Sequence, residues 1–409
     1  MLKMVDGTGI IGVDMVCPLG ATVSPPQPPN YDNVEMEGVG SLMLPNSLKA
    51  PLERLELIGN SVQGENPAPD NPQEIKSAGR FDEASGKYLL DVKVTGKNLL
   101  DMADIQNENG KIDSDFSKAK SIKPFKVIKD RKYLLISKGA MIVDVRYSSI
   151  YFGEDDLAYG QDSSRKLTTG TGYSCFIGTE TRKILVAKET CTITKTMMHG
   201  TRTEKDAYEV EELGLFEIIN DNPNIDYQPY TEQSMQIVLN EPLRGVGEYK
   251  DVLTKDGVVR KIKRIVFDEN TPFKEYNAPV QVKTTSFISG TTIKDATGET
   301  GIEVMSDRFK AKDRGFDRYD EERITLFGKN IFVRFNKDKN INTAEALTEW
   351  LKQNPLTVDY VLAEPVTEPL PESVQAQLQA LRTENGITHV FVDSGEVPCG
   401  IKLTYRKEK

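Results

Sequence analysis

The chain has 409 residues, enough for two or three domains of ordinary size, and its 62 acidic against 52 basic side chains give a formal net charge of -10. That balance argues against a general nucleic-acid binder, because nothing would neutralise a phosphate backbone. No apolar run reaches the roughly 18 residues that a membrane-crossing helix needs. Cys17, Cys175, Cys191 and Cys399 include no CxxC pair and are too scattered for a disulfide framework or a zinc knuckle. They read as small buried hydrophobes of a reducing origin, with Cys175 and Cys191 able to face each other on neighbouring strands.

The N-terminus, MLKMVDGTGIIGVDMVCPLG, carries acidic interruptions where an export signal needs an unbroken apolar core. Its GTGIIG, residues 7 to 12, matches GxGxxG, and Asp32 lies near the distance of a ribose-binding acid. A dinucleotide site, however, needs a strand before the glycines and a helix after them. Here six residues precede and the proline spacer SPPQPPNYDN, 24 to 33, follows, so residues 1 to 35 read as a docking segment and linker.

Residues 36 to 97 read as a small β unit around GENPAPDNPQEIKSAG, 64 to 79. Proline fixes φ and lacks a ladder donor, so that stretch is a stiff loop between strands. In the strand that follows, Tyr88, Leu90, Val92 and Val94 alternate with Asp91, Lys93 and Thr95, giving one buried face.

Residues 98 to 235 carry several short strands with turns between them, MIVDVRYSSIYFG at 141 to 153 and RKILVAKETCTITKT at 182 to 196 being the clearest, and suggest a β-sandwich. NENGKIDSDF, 107 to 116, resembles a calcium loop but has Ile105 and Phe116 where ligands are required, and reads as an Asx-rich turn. NIDYQPYTEQ, 224 to 233, reads as the sandwich's exit.

Residues 236 to 409 read as an α+β domain with strands in the majority. A Lys-Asp-Gly turn at 255 to 257 predicts a hairpin, and the basic RKIKR at 260 to 264 predicts a protected edge strand. Asn342 with Glu345 predicts a capped helix carrying Leu347, Trp350 and Leu351 on one face and stopped at Asn354-Pro355. A second helix is predicted from Pro371 to Asn385-Gly386, with Val374, Leu378 and Leu381 on its apolar face. The whole is expected to be mainly β: a multi-domain, jelly-roll-like β-sandwich protein, similar to carbohydrate-binding modules, with two short helices in its C-terminal domain.

No catalytic, cofactor or metal site is expected. The two histidines, His199 in a loop and His389 in a strand, sit in no recognisable motif. GEDD at 153 to 156 and YDEER at 319 to 323 read as solvated acids, although Glu154 and Asp155 would be the first to test for a glycosidase. Saccharide binding asks for aromatic rings with polar tips, and Tyr147, Tyr151, Phe152, Tyr159 and Tyr173 fall near loops or strand ends of the sandwich.

LELIGNSVQGENPAPDNPQEIKSAG with GKYLLDVKVTGKNLLD resembles the linking segment of tail-associated minor structural proteins of bacteriophages infecting Firmicutes, a group of baseplate and receptor-binding proteins. FEIINDNPNIDYQPY, IVLNEPLRGVGEYKDVLTKDGVVRKIKRIVFD and WLKQNPLTVDYVLAEPVTEPLPESVQAQLQALRTENGITHVFVDS are similar to their later segments, so the resemblance spans residues 52 to 409 with gaps. It implies a virion component at the distal tail, assembled in the bacterial cytoplasm, homotrimeric, contacting other tail or baseplate proteins and a cell-wall saccharide. Two further readings remain open: an adaptor or capsid decoration without ligand, and a wall-degrading enzyme.

Overall fold

The computed structural model describes residues 4–6, 9–11, 31–46, 49–106, 116–140, 148–158, 160–169, 175–176, 180–200, 209–219, 221–276, 284–298, 300–302, 304–310, 321–384 and 386–408. Strands dominate, as the alternation of side chains predicts, and they build a frame from both ends of the chain with two units inserted into it.

The frame is two facing sheets. One has Glu232–Leu239, Lys87–Thr95, Gly386–Asp393 and Ser41–Asn46 in that order, with Arg80–Asp82 added to Lys87–Thr95 where Gly386–Asp393 has ended. The other runs from Met305–Ser306 through Leu356–Pro369, Gly257–Phe267, Val252–Leu253, Glu56–Ile58 and Gly400–Glu408 to Tyr31–Val39. Leu90, Val92 and Val94 alternate inward from the first sheet and meet Leu57, Ile401 and Leu403 of the second. Val374, Leu378 and Leu381, on and just after the helix Glu372–Ala380, pack on the same core.

Each inserted unit leaves and re-enters between strands that are already paired. The first departs after Thr95 and returns at Glu232, and these two residues are register partners. The second departs after Phe267 and returns at Leu356, again register partners. The first insertion is an eight-stranded sandwich whose successive strands alternate between its two sheets, around Phe125, Tyr133, Phe152, Leu185 and Leu215. The second is a five-stranded sheet with the helix Ala344–Gln353, around Phe287, Phe335, Leu347 and Leu351, with Trp350 packed against it.

Several expectations are corrected by this pairing. Residues 36–97 and 236–409 are not separate units, because strands from both lie side by side in each frame sheet. The linker does not extend to residue 35, since Tyr31–Val39 pairs along its whole length with Gly400–Glu408. Alternation within a strand reveals its faces but not a partner from the far end of the chain. The strand that carries RKIKR is internal only at Val258 and Val259, which pair with Val252–Leu253; the basic stretch itself pairs with Leu356–Pro369 alone, and on its other side Asp251 accepts the Lys261 and Ile262 N–H groups, with Arg260 bound to Asp251 and Arg264 to Asp359. The 182–196 run divides into Glu180–Ala187 and Cys191–Gly200, which belong to opposite sheets of the sandwich. Cys175 pairs with Ile150, whose other partner is Met198, seven positions from Cys191, so the two cysteines do not face each other. His199 lies in a strand, opposite Ser149, rather than in a loop. Thr343, not Asn342, caps the first helix, accepting the Ala346 N–H at 3.2 Å, and the second helix ends at Ala380, short of Asn385-Gly386. The hairpin around Lys255–Gly257 is present, closed by Leu253 opposite Val258.

The proline-rich stretch forms the tip of a hairpin between Ser61–Gln63 and Ile75–Ser77, and it reaches across to the second insertion. Arg308 Nη1 donates to Pro69 O at 2.8 Å, Gln73 N–H to Asp307 O at 2.7 Å, and Lys339 Nζ to Asp70 at 2.6 Å. The loop is a strut between frame and insertion.

Candidate functional site

A wide concave feature lies at the open end of the frame, where Arg80–Asp82 stands alone beside Lys87–Thr95. A cleft of about 860 Å³ opens there between this hairpin and Ile75–Ser77, the return strand of the proline-rich loop. Phe81 and Tyr88 are directly opposite in register, with ring centroids 5.2 Å apart and planes tilted by 53°. Tyr88 rests on the frame core, while Phe81 is 54% exposed. An exposed aromatic held by a half-buried one that packs on the core is a stacking surface whose position is already fixed.

Backbone bonds hold the hairpin in place. Gly79 N–H donates to Ser394 O at 2.7 Å, and Asp393 Oδ1 accepts the Gly395 N–H at 2.9 Å. Gly395 has φ +78°, a left-handed conformation that glycine adopts without strain, and this turn carries Glu396 to the cleft's rim.

Every cation at the cleft is paired with a carboxylate. Lys76 donates to Glu396 across the mouth, and that contact holds the ammonium's pKa above its ordinary value. Arg80 donates to Asp91 at 2.6 Å. At the floor Arg264 makes two bonds to Asp359, at 2.7 and 2.9 Å, and the carboxylate is fully buried. Glu74 and Glu83 are exposed at the edge. The arrangement suits stacking and hydrogen bonding.

Of the residues expected to bind saccharide, Tyr151 and Phe152 lie elsewhere. Phe152 is fully buried between the sandwich sheets against Phe125, because its strand alternation turns it inward. Tyr151 faces outward but is only 6% exposed, packed with Leu157 and Met197 and covered by Arg165, whose guanidinium carbon is 4.0 Å from the ring centre. Neither offers a ring to a ligand. Tyr147, Tyr159 and Tyr173 lie outside the described residues, as do Asn107, Asn109 and Gly110 of the Asx-rich turn. Glu154 is bound to Lys166 at 3.0 Å, and Asp155 accepts the Thr194 hydroxyl at 3.2 Å on the surface. Among the described residues no group of three His, Cys, Asp or Glu side chains could hold a metal ion.

A second cavity, of about 320 Å³, lies where the sandwich meets the outer face of the five-stranded frame sheet. Phe125, Arg131 and Glu217 line it from the sandwich, and Thr95, His389 and Phe391 from the frame. Nε2 of His389 is buried without a hydrogen-bond partner, and burial, reinforced by Arg131, pushes the imidazole down to about 4.

Phe81 escaped sequence reading because RFDEASGKYLL has only one apolar residue before its turn; the signal present was an aromatic placed opposite Tyr88 across a short turn.

No family model matches the chain, and no curated protein matches it. Among solved structures, the crystal structure of the infectious bursal disease virus VP2 subviral particle aligns over 90% of this chain and 83% of that one, at 9% identity and a TM-score of 0.09. The structure of the infectious bursal disease virus Gx strain aligns over 94% and 84%, at 12% identity and a TM-score of 0.08. Scores this low carry no argument about fold or function.

Proposed function

We propose that the chain is a structural protein of a bacteriophage tail, in the baseplate, tip or fibre, that assembles as a homotrimer and helps attach the particle to a Gram-positive cell surface through saccharide binding. The observation that carries the attachment role is the exposed Phe81 beside Tyr88 in an open cleft of a rigid frame. The sequence resemblance supports the location in the tail. The architecture agrees with a load-bearing part: both insertions are tied by two adjacent chain crossings, and one is braced by the proline-rich strut.

Immunogold labelling of virions with antibody to the purified chain tests the location. Label at the distal tail is the expected result. Label on the head would overturn the reading in favour of a decoration protein. Light scattering on the purified chain should give the mass of three copies, and a monomer would remove the trimer from the proposal.

A further inference from the structure

We infer that the Phe81–Tyr88 cleft takes a neutral pyranose polysaccharide and discriminates against phosphodiester polymers. The inference rests on the attachment reading and adds to it the site and the class of ligand.

A pyranose ring presents an apolar C–H face and a rim of hydroxyls. Phe81 is exposed enough to receive that face, and Tyr88 holds it at 5.2 Å with the two rings tilted by 53°, so they form a shallow V rather than a flat platform. Around that V stand both acceptors and donors: the Glu83 and Glu396 carboxylates, and the N–H groups of Lys76 and Arg80. Sugar hydroxyls donate and accept, so a mixed rim satisfies them.

Charge decides between neutral and anionic glycans. Lys76, Arg80 and Arg264 are balanced at the cleft by Glu74, Glu83 and Glu396, which leaves no net field for a polyanion. Each cation is also committed: Lys76 to Glu396, Arg80 to Asp91, and Arg264 to Asp359. A phosphate entering the cleft would have to displace a carboxylate from its partner while lying close to Glu83, and it would gain little from doing so. A neutral ring leaves these pairs intact. Little ordering entropy is lost on binding, because the hairpin is pinned by the Gly79–Ser394 bond and by the half-buried Tyr88 packed against the core.

The test is titration calorimetry and affinity electrophoresis of the full chain against neutral glucan, galactan and rhamnan preparations and against poly(glycerol phosphate), with Phe81→Ala and Lys195→Ala variants alongside. Phe81 is exposed, so its truncation leaves the fold intact, which circular dichroism checks; Lys195 lies on the outer face of the sandwich, away from the cleft. At least one neutral polymer should bind, Phe81→Ala should weaken it about tenfold or more, corresponding to roughly 1.4 kcal/mol, Lys195→Ala should leave it unchanged, and poly(glycerol phosphate) should give no heat. Phe81→Ala binding like the wild type, or poly(glycerol phosphate) retarding the protein, would overturn the assignment. So would a Phe81→Ala chain that changes its mass by light scattering, because Phe81 would then serve contact with a second copy. If the intact chain binds purified cell wall while Phe81→Ala does so equally well, attachment stands and the cleft assignment fails. If the intact chain binds no wall preparation, both fail.

Discussion

Asp251 and Arg260 meet in the frame's interior with Oδ2 and Nη1 3.2 Å apart, the carboxylate fully buried and the arginine 5% exposed. The same carboxylate oxygen accepts the Arg244 N–H at 3.0 Å, and the other accepts the N–H groups of Lys261 at 2.8 Å and Ile262 at 3.0 Å. Those two amides sit where pairing with Leu356–Pro369 shifts register, so Asp251 supplies acceptors at an interruption of the ladder. Removing it leaves a buried guanidinium, two buried amides and one half-buried amide without this partner. Asp251→Ala should cost about 3–5 kcal/mol of stability, read as a lowered urea midpoint. A midpoint unchanged from wild type would show that the carboxylate does not organise this interior.

The proline-rich strut makes a separate claim. Arg308 is 8% exposed, donates to Pro69 O at 2.8 Å and Pro355 O at 3.2 Å, and lies 5.4 Å from the Trp350 ring centre. Arg308→Ala should lower stability by about 2 kcal/mol, in the range for hydrogen bonds to a charged group. Hydrogen exchange should locate the effect: the Gln73 amide, bound to Asp307 O, should lose protection while the sandwich amides keep theirs. Unchanged protection of the loop would contradict a bracing role.

His389 gives the junction between sandwich and frame a pH dependence. Its folded-state pKa, about 4, lies below the ordinary value of 6.5, so the unfolded chain binds the proton more readily than the folded one. Stability contributed by the neutral imidazole is therefore intact above pH 6.5, is lost as pH falls from there to about 4, and falls no further below that. Because part of the side chain faces the cavity, the loss should amount to about 1–3 kcal/mol, below the full value of about 1.4 kcal/mol per pKa unit. Comparing urea midpoints of wild type and His389→Gln at pH 7 and pH 4.5 isolates this group from the other titrating residues. The wild type should lose more on acidification than the variant, and equal losses would show that His389 is not the titrating element.

What the sequence revealed and what it hid follow from the range of the interactions. The inward face of Tyr88, Leu90, Val92 and Val94, the helix face of Leu347 and Leu351, and the Lys255–Gly257 hairpin turn on neighbours within a few positions, and they were legible. Partners were not. That Lys87–Thr95 lies between Glu232–Leu239 and Gly386–Asp393 depends on segments far along the chain, and this turned one frame into two apparent domains. The setting of the basic stretch was hidden in part for the same reason: Asp359, which neutralises Arg264, comes from a strand 95 positions away, whereas Asp251, which neutralises Arg260, lies nine positions back, just before the hairpin. Aromatic content did not reveal which rings are exposed: Tyr151 and Phe152 are covered by packing that only the folded chain displays, whereas Phe81 is left uncovered where its sheet neighbour ends.

Competition for adsorption tests the proposed role in phage attachment most directly. Host cells preincubated with the purified chain should take up the parent phage at least tenfold more slowly, and cells preincubated with Phe81→Ala should take it up at the normal rate. Normal adsorption in the presence of saturating wild-type chain would contradict the account.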